Sequence, residues 1–206
     1  MPLSGETLNT FVDFLSSNSP TPGGGGASAL VGAMAAALGN MVGSLTVGKT
    51  KYVAVEPQIR VLNRQAETLR AELLALMDAD EEAFAPLARA YAIPKDDPAK
   101  AEIMEAALLK AVEPPLQIMD KLGEVAELLA EYAAKGSALA VSDAGCGAAL
   151  CAGAMKAAAL NVYINTKSIK DRQEAERLNA RVKSVLLRGC ALADSVYDEV
   201  RRRLSE

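Results

Sequence analysis

From residue 27 to residue 47 the chain carries no charged side chain, and most positions are Ala, Gly or another small or apolar residue. A helix built from this run has no polar face to turn to water, so it must lie at the centre of whatever the chain folds into. It would span on the order of 35 Å, enough for the spine of a domain. The run is entered through Ser19-Pro20-Thr21-Pro22-Gly23-Gly24-Gly25-Gly26. Two prolines hold that entrance extended, and four glycines let the backbone approach another group with no Cβ in the way.

Three readings of the spine compete. A membrane span needs about 20 strongly apolar residues, and this run is mostly Ala and Gly with Ser28, Asn40, Ser44 and Thr46. A nucleotide loop is suggested by Gly43-Ser44-Leu45-Thr46-Val47-Gly48-Lys49-Thr50, which satisfies the pattern G-x-x-x-x-G-K-[ST]. Such a loop works by following a β-strand and opening a helix whose N–H groups cradle phosphate. Here it would follow a helical run, so the match is read as coincidental. The remaining reading is a tightly packed helix whose Gly-rich entrance faces a ligand.

Half of the 206 residues are apolar but only 4% are aromatic, and there is no Trp, which favours close helix packing through Ala and Gly over a strand-rich core. The length suits one domain over residues 1–206. Lys and Arg number 22 against 26 Asp and Glu, a net charge of −4 without a long basic run, so nucleic acid is not expected as a partner. Three cysteines without C-x-x-C spacing, Cys146, Cys151 and Cys190, and no signal peptide at the N-terminus point to a reduced cytoplasmic setting and to packing roles. No His is present and the cysteines do not cluster, so no metal site is expected. Any general acid or base must then be Asp, Glu, Lys, Tyr or Cys.

Helical spacing recurs along the whole chain, and no period-2 strand pattern appears, so the expected fold is all-α. A first helix is predicted from Ser4 as N-cap, with Leu8, Phe11, Val12 and Leu15 on one apolar face. From Pro57 a long helix carries Ile59, Leu62, Ala66, Leu69, Leu73, Leu76, Phe84 and Leu87, with Pro86 and Pro94 expected to end or bend it. Asp97 is the expected cap of the next helix, and Glu113-Pro114-Pro115 should kink or break the pattern that resumes to Gly136. A second small-residue helix is predicted over residues 142–167 and a last one over 168–204. Gly39 and Gly43 make a small face through which the two small-residue helices can meet, and so much apolar helix surface suggests an oligomer. The similar Gly32-Ala33-Met34 and Gly153-Ala154-Met155 hint at an internal duplication.

Asp80 breaks the stripe of the long helix, four residues after Leu76 and four before Phe84. A lone carboxylate on a core-facing side is costly to bury unless it is paired or employed. Glu81 and Glu82 beside it read as solvated charge.

Together, Pro20-Thr21-Pro22-Gly23-Gly24-Gly25, Leu45-Thr46-Val47-Gly48-Lys49-Thr50-Lys51-Tyr52, Asp80 with Ala83-Phe84, and Ser142-Asp143-Ala144-Gly145 with Leu160-Asn161-Val162-Tyr163-Ile164-Asn165 resemble the cyclodeaminase/cyclohydrolase family of folate enzymes. The resemblance covers essentially the whole chain, with Cys146-Gly147 as one departure. It implies an all-helical homodimer with a folate pocket beside Pro22, Gly23, Gly24 and Gly25, and it makes Gly43 to Thr50 a Gly-Lys motif of the family. No cofactor beyond a tetrahydrofolate substrate and no membrane are expected. The expected activity is hydrolysis of 5,10-methenyltetrahydrofolate to 10-formyltetrahydrofolate, with formiminotetrahydrofolate cyclodeaminase as the alternative. A P-loop hydrolase and a non-catalytic helical scaffold are the rivals from other classes.

Under that resemblance Asp80 is the candidate catalytic carboxylate. Asp143 is an alternative base or pterin ligand, unless it is a plain N-cap. Lys49 is a candidate proton donor and Lys51 a candidate partner for glutamate carboxylates, both also readable as solvated lysines. Asn161 and Asn165, one turn apart, suit hydrogen bonds to the pterin edge or to neighbouring helices.

Overall fold

The glycines that head the small-residue stretch are themselves helical. In the computed structural model, which describes residues 2–206, the spine helix α2 spans Gly24–Ser44, three residues ahead of the run identified in the sequence, with Gly23 extended at its N-cap. The other helices are α1 Leu8–Leu15, α3 Glu56–Ala92, α4 Lys100–Ala111, α5 Glu113–Lys135, α6 Val141–Thr166 and α7 Arg172–Ser205. No strand occurs among the described residues. The all-α expectation holds, with six long helices and one short one.

α2 and α6 are the two small-residue helices, and they pack antiparallel. A Cβ on Gly24 would lie 2.9 Å from the Asn161 side chain, and one on Gly147 would lie 3.1 Å from the Ala35 carbonyl. Both helices are long and apolar enough to cross a bilayer, yet 56% of each most apolar window is buried inside the protein. α3, α5 and α7 enclose the pair, with Leu73, Leu122, Leu129 and Met155 almost fully buried between them.

Gly39 and Gly43 do not face α6 as expected. They make room for Tyr132 of α5, whose ring would meet a Cβ at Gly39 at 2.9 Å and one at Gly43 at 2.6 Å. The reason is bulk: Tyr132 is among the largest fully buried side chains. Its hydroxyl donates to Asn63 Oδ1 at 2.9 Å, and Asn40 Nδ2 donates to the Asn63 carbonyl at 3.0 Å. Gly32 packs against Leu122 and Leu73 whereas Gly153 faces open space, so the two matched segments play different parts.

Other boundaries shift for identifiable reasons. α1 is capped by Thr7, which accepts from the Thr10 amide at 3.1 Å, because Ser4 instead donates through its amide and hydroxyl to Asp78 of α3. Of its predicted apolar face only Phe11 is buried, while Leu8, Val12 and Leu15 are exposed. α3 runs through Pro86 to Ala92. Leu87 and Ala90 beyond the proline are buried, and their packing outweighs the lost backbone bond. Asp97 caps only a turn, accepting from the Ala99 amide at 2.8 Å, and α4 begins after it. The Glu113-Pro114-Pro115 break separates α4 from α5 as expected. Cys151 and Cys190 are buried packing residues, but Cys146 is exposed.

Gly43→Ala should be destabilising, because the new methyl would sit 1.9 Å from Asn63 Oδ1 with Tyr132 behind it. Overpacking of this kind costs about 1–3 kcal/mol, which thermal unfolding would register as a Tm lowered by several degrees. Gly123→Ala in α5 meets nothing within 4 Å and should raise stability by roughly 0.5–1 kcal/mol.

Candidate active site

The N-terminus of α2 ends against a carboxylate. Asp80 is carried in the middle of α3, whose stripe of Leu69, Leu73, Leu76 and Leu87 holds that helix against the core. Ideal Cβ atoms on Gly25 would lie 2.3 Å from both Asp80 carboxylate oxygens, so any side chain at Gly25 would displace the acid. Asn161 of α6 lies against Gly24 on the same turn. Pro22 is buried, its Cβ 3.6 Å from where a Cβ on Gly26 would lie.

Burial pushes the Asp80 carboxyl up to about 6, and the Gly26 backbone amide opposes that shift. Helix N-termini favour negative charge, yet here desolvation wins. Asp80 makes no ion pair among the described residues. The acid is therefore half-buried and uncompensated by a cation, its pKa raised by desolvation, and groups shifted in this way cluster at functional sites.

Neighbouring polar groups hold this corner in shape. Thr21 Oγ1 donates to Glu81 Oε1 at 3.0 Å, and Ser19 Oγ donates to the Thr21 carbonyl at 2.6 Å. Glu81, read in sequence as solvated charge, thus tethers the proline entrance to α3, whereas Glu82 is exposed. Asn161 Nδ2 donates back to the Ala157 carbonyl at 2.9 Å, which leaves its side-chain oxygen for other partners. Asn165 Nδ2 donates to Asn161 O at 2.9 Å and to Ala111 O at 3.4 Å, so it ties α6 to the end of α4.

The remaining candidates lie at the opposite end of α2. Lys49 follows the turn at Gly48, whose φ is +78°, and its ammonium donates to Ser137 Oγ at 3.2 Å. Ser137 is buried, and its amide donates to Thr46 Oγ1 at 2.7 Å. The Gly48 amide is held by Glu56 Oε2 at 3.0 Å. Tyr52 accepts from the Ala138 amide at 3.0 Å. That bond, with Lys51, Ser137 and Lys49 following, draws the Tyr52 phenol below its ordinary value despite the opposing effect of desolvation.

Asp143 is half-buried in the first turn of α6, but Ala140 occupies the N-cap position, so the capping reading of Asp143 is not what the structure shows. Lys51 is exposed, its ammonium 5.6 Å from the Tyr52 ring centroid. Thr46, Glu56, Tyr52 and Ser137 were not identified from sequence as supports of this turn, because the partners lie as far as 91 residues apart.

One chain therefore brings Pro22, Gly23, Gly24, Gly25, Asp80 and Asn161 together, and Lys49, Lys51 and Asp143 elsewhere. The 21 residues of α2 place the two groups about 30 Å apart. The segment Gly43 to Thr50 begins inside the last turn of a helix, with no strand before it, so the phosphate-loop geometry is absent.

Residues 7–184 match the formiminotransferase-cyclodeaminase family. The chain belongs to that family. It is an enzyme of the folate cyclohydrolase/cyclodeaminase group. A methenyltetrahydrofolate cyclohydrolase of Methylorubrum extorquens is 39% identical over 97% of this chain and 98% of its own length. The formimidoyltransferase-cyclodeaminase of Sus scrofa is 31% identical over 95% of this chain, which spans only 37% of that larger protein. Among solved structures, a formiminotetrahydrofolate cyclodeaminase from Thermotoga maritima superposes with a TM-score of 0.84 at 30% identity, covering 98% of both chains.

Asp80→Asn should stabilise the fold. The folded-state pKa of Asp80 lies above the ordinary carboxylate value, so folding favours the protonated acid. Its contribution is fully present below about pH 4 and is lost as the pH rises through about 6. Thermal unfolding at pH 8 should show a higher Tm for Asp80→Asn than for wild type, with the difference shrinking at pH 5. An unchanged or lower Tm at pH 8 would contradict the desolvated carboxylate.

Proposed function

We propose that the protein is a methenyltetrahydrofolate cyclohydrolase, and that Asp80 is its general base. The observation that carries this reading is the carboxylate seated on Gly25 without a cationic partner. A cationic amidinium substrate supplies the missing charge, and a raised pKa suits the acid to take a proton from water.

In the reaction, water adds to the carbon bridging N5 and N10 as Asp80 removes one of its protons. The neutral adduct then opens: the C–N5 bond breaks, the hydroxyl proton passes to N5, and the formyl group stays on N10. Asp80 returns its proton to solvent. The backbone amides at the head of α2 and the Asn161 side-chain oxygen offer hydrogen bonds to the pterin. Near-full-length similarity to a cyclohydrolase supports this choice of reaction.

Lys49 and Asp143 enter through a second copy of the chain. The outer face of the α2–α6 pair is apolar, with Met34, Met41, Leu160 and Ile164 at 49, 48, 68 and 64% exposure. A two-fold axis through the middle of that face sets the Lys49 end of one copy beside the Asp80 end of the other. Lys49 then serves as proton donor at the departing nitrogen or polarises the developing formyl oxygen. The homodimer carries two composite sites.

A second reading, formiminotetrahydrofolate cyclodeaminase, is favoured by the structural likeness to the Thermotoga maritima protein. There N10 attacks the N5-formimino carbon and ammonia leaves, using the same carboxylate.

Loss of the near-ultraviolet absorbance of 5,10-methenyltetrahydrofolate should be accelerated by wild type and reduced at least 100-fold in Asp80→Asn. kcat/KM should fall as the pH drops below about 6, where Asp80 gains its proton. No acceleration by wild type, with the same chromophore appearing from 5-formiminotetrahydrofolate, would assign the deaminase instead. Reassociating Asp80→Asn with Lys49→Ala subunits tests the composite site. Random pairing should restore roughly a quarter of wild-type activity if sites form between copies, and none if each chain holds its own.

A further inference from the structure

Along α3, Asp80 stands between two polar ties to the N-terminal segment. Asp78, two residues before it, holds Ser4, whose amide donates to Asp78 Oδ1 at 3.0 Å and whose hydroxyl donates to Asp78 Oδ2. Glu81, one residue after it, holds Thr21, whose hydroxyl donates to Glu81 Oε1 at 3.0 Å. Residues 4–21 therefore form a strap fastened to α3 at both ends, and the glycine head of α2 follows directly from the second tie. Positions 78 and 81 share one face of α3. Asp80 sits about 100° round the helix from Glu81, against the Gly25 backbone.

Few apolar contacts hold the strap. Of residues 4–21 only Phe11 is buried, and Ser16 to Pro20 are exposed. The bond from Ser19 Oγ to the Thr21 carbonyl lies within the strap itself. A segment with so little buried apolar surface opens locally at low cost unless polar ties restrain it. One hydrogen bond adds little to the stability of a whole fold, so the consequence of the Thr21–Glu81 tie is local. It sets where the entrance runs, and hence how closely Gly25 and Gly26 sit on Asp80. Desolvation is the larger influence on that acid and the Gly26 amide the smaller. No charged side chain occurs from residue 14 to residue 48, and Asn161 of α6, beside Gly24, is neutral. The charged groups next to Asp80 are Asp78, Glu81 and Glu82 of its own helix.

We infer that Glu81 is a positioning residue for the catalytic carboxylate: through Thr21 it fixes the path of the proline-glycine entrance and so keeps the head of α2 seated on Asp80. The inference rests on the reading of Asp80 as general base. Glu81 acts through Thr21 and not on the reacting atoms. The tie needs an acceptor at position 81 and a hydroxyl at position 21, not a charge, so Gln serves at the first and Ser at the second. The Ser4–Asp78 tie holds the far end of the strap. Loss of the Glu81 tie thus frees the strap at the end next to the glycines and leaves the other end fastened.

The test follows the Asp80 carboxyl directly, by NMR titration of the full chain labelled in its aspartate carboxyl carbons, with the Asp80 resonance identified by its loss in Asp80→Asn. Wild type should titrate at about 6. Glu81→Ala and Thr21→Val should each titrate lower, toward the ordinary carboxylate value of about 4, because a loosened entrance admits water to the acid. Glu81→Gln and Thr21→Ser should keep the wild-type midpoint. The acid limb of kcat/KM for 5,10-methenyltetrahydrofolate should move with the NMR midpoint, and at pH 8 the two variants without the tie should lose roughly ten- to a hundredfold in kcat/KM. Thermal unfolding checks that each variant is folded, and the Thr21 pair carries the test if a Glu81 variant is not. A midpoint unchanged in Glu81→Ala and Thr21→Val would overturn the positioning role. So would one that falls as far in Glu81→Gln as in Glu81→Ala, since the charge of Glu81 would then be what mattered. A midpoint that moves as expected in a protein that does not hydrolyse 5,10-methenyltetrahydrofolate refutes the proposed reaction alone. Wild-type turnover with a midpoint indifferent to the tie refutes the positioning role alone.

Discussion

Everything in this fold depends on how closely other groups approach the backbone of α2. Glycine at three levels of that helix admits a different neighbour: the Asp80 carboxylate over Gly25, Leu122 and Leu73 over Gly32, and Tyr132 over Gly39 and Gly43. A Cβ at any of these positions would fall inside van der Waals contact. Because dispersion gains fall off steeply with separation, a core almost without aromatic residues needs this closeness to hold together. The same closeness that packs the middle of the helix seats the acid at its head.

Asp80 expresses the conflict between packing and chemistry. Its neighbours on α3 are core leucines, and burial disfavours its charge more than the α2 backbone amide favours it. Desolvated, unpaired carboxylates of this kind cluster at functional sites. The Thr21–Glu81 bond and the buried Pro22 keep the glycine entrance in register with it, so the proline-glycine segment and the acid form one unit although they are some 60 residues apart in the chain.

α2 also sets a distance. Its head meets Asp80, its tail leads into Lys49, and α6 runs antiparallel beside it with Asn161 at the first end and Asp143 at the second. Two rigid helices keep these groups apart in one chain, and their outer faces are apolar, with Met34, Met41, Leu160 and Ile164 exposed.

Much of this was determined by the sequence itself. A run of small, uncharged residues has no stable place except a core, so the central helix was legible at once, as was Asp80, the one carboxylate that breaks an apolar stripe. The glycines announced a close approach but not the approaching group: Asp80 at Gly25 and Tyr132 at Gly39 are assigned only by how α3 and α5 cross α2. Tertiary structure alone decided that α3 continues through Pro86, that Glu81 is a tether, that Asp143 is no cap, and that Lys49 and Asp80 stand at opposite ends of one helix. The physical reason is that spacing along a helix reports which residues share a face, whereas a contact between residues 46 and 137, or 21 and 81, exists only once separate helices have packed.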